Sequence, residues 1–364
     1  MIFIGYRMAA WFTPSVTAAT ASDNCNLWEV QVNAVTGAPV EQPRRLTNWA
    51  GSDVDHLSAT SDGKRLVFQK SSIHVNVLIG ELQDRNMKLT TPRKLTFGEG
   101  WNSPTAWTSD SKSVIFGSDR NGHYGIYKQE LTRDSAETLV TSDMPMGART
   151  SPDGKWILYE IQQAEDANSP GSSISYTRRL MRMPVTGGPG EQVLTARLHG
   201  SAWCARSPST LCAFAEQAPD RKELVFTAFD PIRGKGNTLA RFATDPNAGY
   251  GWSPSPDGTR IGIIKTGGNH VYVLPLDGSP VRDLTVAGWS GFDSFDWSVD
   301  GKGFFTSTTG VGSTLLFVDL NGKAHALWPQ KSAPFTWGVP SPDGRHLAVL
   351  GAEFNGNMWT IENF

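Results

Sequence analysis

The chain has 364 residues, with 33 Lys and Arg against 35 Asp and Glu and a formal net charge of −2. A balance this even excludes the basic footprint of a nucleic-acid binder or of a protein drawn to an anionic membrane surface. Three cysteines are too few for a disulfide scaffold, and nothing beyond the N-terminal segment approaches the ~18 consecutive apolar residues of a membrane span.

Residues 1–23 read as a segment apart. Met8-Ala9-Ala10-Trp11-Phe12 is mildly apolar, and Ala19-Thr20-Ala21 resembles a small-residue cleavage site, but Pro14 and the neighbouring Ser and Thr residues interrupt any apolar stretch. From residue 24 to 364 the pattern predicts one domain of short strands. Residues 26–30 and 45–47 open it. Then the phrase Ser-Pro-Asp-Gly, or a variant, begins to recur. Clean copies start at Ser151, Ser255 and Ser341; variants stand at Ser61-Asp62-Gly63, Ser109-Asp110-Ser111 and Ser298-Val299-Asp300-Gly301; Ser207-Pro208-Ser209-Thr210 is degenerate. At the Asp position the gaps are 48, 43, 56, 48, 43 and 43 residues, a period that signals radial or solenoid repetition.

Each Asp-Gly pair lies between two short runs and predicts a tight hairpin, because Gly accepts the positive φ such a turn needs. The run after the turn is continuously apolar, as in Arg65-Leu66-Val67-Phe68, Val114-Ile115-Phe116 and Leu347-Ala348-Val349-Leu350. Such runs suit strands covered on both faces. A third strand follows at 124–127, 271–274, 315–318 and 357–361, and a fourth at 93–96, 193–195 and 283–285. Four antiparallel strands per ~50-residue unit describe a propeller blade. The fold class is all-β: a seven-bladed β-propeller of four-stranded antiparallel blades. The first ~45 residues leave room for the stub of an eighth, with residues 2–6 as one of its strands. The last blade takes its outer strand from the N-terminal segment, which removes an open edge.

The repeat resembles that of the TolB-like β-propellers, whose WD-like unit carries a Trp-Ser-Pro-Asp-Gly core. The resemblance covers about residues 24–364, although the Trp of the core stands only at Trp107 and Trp297; Thr150, Arg206, Pro254 and Pro340 replace it elsewhere. It implies binding rather than catalysis. Such propellers serve as interaction platforms in envelope complexes, or as sensor halves of bacterial signalling proteins behind a kinase or a winged-helix domain, and Asn357-Met358-Trp359-Thr360-Ile361-Glu362-Asn363-Phe364 resembles the ending of the second group. They are similar, too, to the non-catalytic propeller of prolyl-oligopeptidase-type peptidases. The resemblance implies a protein or peptide partner, a monomeric propeller without membrane insertion, and a periplasmic or extracytoplasmic place ahead of a cytoplasmic one.

No catalytic centre is legible. Gly251-Trp252-Ser253-Pro254-Ser255 does not fit a nucleophile elbow, and the seven histidines form no local metal pair. A lyase or hydrolase with an axial metal therefore requires histidines from different blades to converge, with His56 and His199 the two to watch; an accessory peptidase propeller is the remaining alternative. No cofactor and no metal are expected, and the repeat aspartates are read as turn formers. Binding sites on rigid scaffolds concentrate in loops. The candidates are the varied residues at the starts of innermost strands, on one channel mouth: Asp55, His56, Trp101, Arg149, His199, Tyr250, Asp293 and Trp337. Cys204 and Cys212 flank the degenerate turn and lie nearly opposite each other on its hairpin; they read as two buried small apolar side chains, with a cross-strand disulfide as the alternative.

Overall fold

The computed structural model describes residues 2–3, 9–10, 26–33, 35–49, 52–62, 64–98, 100–141, 144–164, 176–310, 312–331 and 333–362. The cleavage-like Ala19-Thr20-Ala21 lies outside them. The described residues are strands and turns, with one 3₁₀ turn at Arg120–Gly122. They form seven sheets, six of them four-stranded, and the chain divides into two compact units.

The larger unit, residues 75–352, is a β-propeller of six blades; the Asp62 repeat, the first of the seven that the sequence counts, falls in the smaller unit. Five are consecutive four-stranded antiparallel meanders. Their innermost strands are Asn102–Trp107, Pro145–Thr150, Trp203–Cys204, Tyr250–Pro254 and Phe292–Trp297. The sixth is assembled from distant parts of the chain. Gly338–Pro340 is its innermost strand and pairs with residues 347–349; the strand order then passes to residues of Arg65–Gln83, which pair with Arg93–Lys94. Each innermost strand packs on the next, and Gly338–Pro340 packs back on Asn102–Trp107, which closes the ring. The closing blade is thus drawn from distant parts of the chain, but its two outer strands come from residues within 75–94 and not, as expected, from the N-terminal segment, whose strands form a separate sheet.

Apolar strand runs are used as the pattern predicts. Six buried clusters fill the six seams between neighbouring blades. In one, Val271, Leu284 and Ile264 of the fourth blade meet Phe292, Phe295 and Phe304 of the fifth. Close seams need missing side chains: a Cβ on Gly262 would come within 2.2 Å of the Phe295 ring.

One strand expectation is corrected. Residues 347–350 and 357–361 are not separate second and third strands but parts of a single 17-residue strand, His346–Glu362. Gly351 reads as a break; instead it lets Leu78 approach to 2.5 Å of where a Cβ would stand. The strand continues because close packing, not a turn, is what this glycine provides.

The smaller unit comprises residues 1–74 and 353–364. Trp28–Val30 pairs with Arg44–Arg45 and with Ala9–Ala10, which pairs with Ile2–Phe3. Asp53–Ala59 pairs with the first part of Arg65–Gln83. Leu27, Val54, Leu57, Leu66 and Phe68 form its buried cluster.

Candidate functional site

The repeat turn is built the same way in blade after blade. A Ser or Thr hydroxyl donates to the turn Asp: Thr108 to Asp110 at 2.6 Å, Ser151 to Asp153 at 2.6 Å, Ser298 to Asp300 at 2.7 Å and Ser341 to Asp343 at 2.6 Å. The same carboxylate accepts the backbone N–H two residues on, as from Lys155 and Arg345. Gly154, Gly258, Gly301 and Gly344 take φ between 66° and 71°, which a β-carbon would disfavour. The aspartates are turn formers, as the sequence predicts. Burial alone would raise the carboxyls of Asp153, Asp257 and Asp343, but the serine hydroxyls and backbone N–H groups outweigh it and hold all three below the ordinary range.

These turns bring the C-terminal ends of the six innermost strands to one end of the larger unit's channel. There they enclose a cavity of about 490 Å³. Arg149, Trp203, Arg206 and Asp296 line it, with proline rings such as Pro152 and Pro254. The exposed turn acids Asp257 and Asp300 stand at its rim, with their carboxylates engaged in their own turns.

The deep charges stand on opposed blades. Arg149 is on the second blade and Asp296 on the fifth; Arg206 is on the third and donates through Nη2 to the Pro340 carbonyl of the sixth, at 3.3 Å. The Arg149 guanidinium lies 3.8 Å from the centre of the Trp203 ring, a cation–π contact strengthened by desolvation. Its Nη1 donates to the carbonyls of Thr105 at 2.7 Å and Ala148 at 2.8 Å. Both arginines act electrostatically on Asp296. Neither closes on it as an ion pair among the described residues. Burial raises the Asp296 carboxyl, and Arg206 and Arg149 oppose that rise. Glu160 adds a second, more remote negative charge to Arg149, but it is already paired with Arg178 at 2.8 Å and accepts the Ala202 N–H.

The structure brings one of the eight predicted residues to this cavity: Arg149. It is the fifth residue of Pro145–Thr150, four before the turn Asp153, and so lies at the far end of its strand rather than at the start. The others lie elsewhere. Trp101 packs against Phe335, with centroids 5.5 Å apart, and Trp337 stacks on Phe335 and donates to the Pro104 carbonyl at 2.9 Å. His199 Nε2 meets the Tyr250 carbonyl at 3.1 Å; burial lowers the His199 pKa. Asp293 is exposed. Asp55 and His56 are exposed residues of the smaller unit. Trp203, Arg206 and Asp296 were missed. A signal existed: Arg149 and Asp296 share one repeat position, four before the turn Asp, where the other blades of the ring carry Ala106, Ala205, Ser253 and Val339.

Cys204 and Cys212 are register partners and are disulfide-bonded. This corrects the reading of two separate apolar side chains: the antiparallel pairing sets their sulfurs face to face. The bridge anchors the two-residue strand Trp203–Cys204 beside the cavity. Among the described residues, no three His, Cys, Asp or Glu side chains gather as metal ligands, and no helix is long and apolar enough to cross a membrane.

No protein-family model and no curated relative matches the chain. Solved structures do. A protein described as TolB from Agrobacterium tumefaciens is 20% identical, with 77% of this chain and 99% of that one covered and a TM-score of 0.54. A chain of the nidogen/laminin complex is 13% identical, with 77% and 98% covered and a TM-score of 0.52. Puromycin hydrolase aligns over 94% of this chain and 58% of its own at 15% identity, but with a TM-score of only 0.44. The first two likenesses show the fold alone, a β-propeller.

Proposed function

We propose that this chain, a TolB-like propeller by fold, is a non-enzymatic recognition module whose ligand site is the channel cavity of the six-bladed unit. The observation that carries the reading is the cavity wall itself. It combines the Trp203 ring, two half-buried guanidiniums and one half-buried carboxylate at the ends of the innermost strands. Aromatic and Arg anchors in a preformed pocket carry most of the affinity in recognition sites. The same wall is poor for catalysis. Guanidiniums do not exchange protons near neutral pH, and the buried Ser253 hydroxyl of the cavity hydrogen-bonds no base.

The partner is a protein or peptide, and the chain is the interaction or sensor part of a bacterial signalling or envelope system. The nidogen/laminin complex, by its name a protein assembly, contains a chain of the same fold. The Cys204–Cys212 bridge supports a place outside the cytoplasm, where disulfides persist.

Selection of a random-peptide library on the wild-type protein tests this. Enriched peptides are expected to lose binding to Trp203→Ala, a change inside the cavity, and to keep it for Lys222→Ala, outside it. Peptides that bind Trp203→Ala undiminished, or no enrichment at all, would sink the reading.

A further inference from the structure

We infer that the channel cavity binds a carboxylate monoanion with an apolar body, gripped by Arg149 and Arg206. This rests on the reading of the cavity as the recognition site and names its ligand chemistry.

Arg149 is held on one side only. Its Nη1 is fixed by two backbone carbonyls and its plane by Trp203. Its Nε–H is buried and makes no hydrogen bond within the protein, and no acceptor among the described residues bonds its Nη2. The Nε–Nη2 edge is the edge that takes two carboxylate oxygens at once. An enclosed donor left without an acceptor carries a desolvation cost that an anion would relieve.

Charge sets the valence. Two guanidiniums face one carboxylate, so the deep cavity holds one unmatched positive charge. A monoanion completes it. A dianion such as phosphate would bring its second charge against Asp296 across the channel. Glu160 is paired with Arg178 and accepts the Ala202 N–H; Asp257 lies 3.5 Å from the Arg260 guanidinium, and Asp300, though charged, stands exposed at the rim, where water screens it from the deep arginines. Shape sets the rest of the ligand: the remaining wall includes Trp203, Pro152, Pro254, Pro256 and Pro340, which suit an apolar group rather than a sugar or a second charge.

The experiment is calorimetric titration of the full chain with four probes: N-acetyl-Ala-Ala-Phe as the free acid, the same peptide as its C-terminal amide, 3-phenylpropionate, and inorganic phosphate. The expected result is binding of one or both carboxylates, with the amide and phosphate at least tenfold weaker. Tighter binding of the peptide acid assigns a peptide C-terminus; equal or tighter binding of 3-phenylpropionate assigns a small free carboxylate. Arg149→Gln should lose at least tenfold. Arg149→Lys, which keeps the charge but not the paired donors, should fall between, each variant melting cooperatively. Equal binding of acid and amide, or of phosphate and carboxylate, would overturn the inference and leave the recognition reading standing. No binding by any probe would overturn it too, and the library selection would then decide the broader reading on its own.

Discussion

The two ends of the channel in the six-bladed unit use the same kinds of residue differently. At the N-terminal ends of the innermost strands, aromatics and polar side chains are consumed in joining blade to blade: Trp337 to Pro104, Trp101 to Phe335, His199 to Tyr250. At the C-terminal ends, the joints are made by the repeat turns. Arg149 and Arg206 also reach neighbouring blades there, through the Thr105 and Pro340 carbonyls, but the Arg149 Nε–H stays without an acceptor. Variety among loop residues is therefore not in itself a sign of a binding mouth. What distinguishes the second end is buried polar capacity that the protein does not use.

The largest expected effect tests the first end. Trp337→Ala removes the Phe335 stack and the hydrogen bond to Pro104, and should cost about 3 kcal/mol in urea denaturation. Ligand binding at the other end should be unchanged in the folded protein. A loss of binding with unchanged stability would reverse the comparison.

Opening the Cys204–Cys212 bridge acts at the second end. Replacing both cysteines with Ser should lower stability by about 2.5 kcal/mol, the loop-closure value for so short a ring. It should also weaken peptide binding, because Trp203 sits on the strand that the bridge anchors. Mass spectrometry after alkylation, with and without reductant, reports the bridge directly.

The smallest effect concerns the turns. Asp343→Ala should cost about 1 kcal/mol, since the Ser341 hydroxyl and the Arg345 N–H lose their acceptor. The pH dependence has a definite sign. Asp110, Asp153, Asp257 and Asp343 are held below their ordinary values, so their contribution is complete above the unfolded value of about 3.9. It is lost as pH falls through the lower folded values. The melting temperature should drop as the pH is lowered below about 4, and less steeply in Asp343→Ala. A variant that tracks the wild type in acid would show that this carboxylate does not matter.

Much of the fold was legible because its cause is local. The Asp-Gly turns, the apolar runs and their spacing each act within a few residues, and the strands following Ser151, Ser255 and Ser298 form where expected. The long strand through Gly351 was not legible. Its continuity depends on Leu78, nearly three hundred residues away in sequence, filling the space that the glycine leaves. The site was half-legible. Arg149 was grouped with the strand starts although it stands four residues before its turn Asp, at the same repeat position as Asp296 and at the far end of Pro145–Thr150. Asp296 was passed over because it reads as one more polar residue before a repeat turn. Its meaning comes from the blade that the ring places opposite.

The sixth blade sets an order on events at the ribosome. Five blades are meanders of neighbouring strands, and each can pair its own strands as it emerges. The sixth cannot: residues 75–83 must wait for residues 338–352 before their blade is complete. Until then the nascent ring is a crescent with two bare edges, each able to recruit a strand from another chain. A nascent chain that stalls before Gly338–Pro340 and the first part of His346–Glu362 would stay in that state, so these two strands are what closes the ring's edges to other chains.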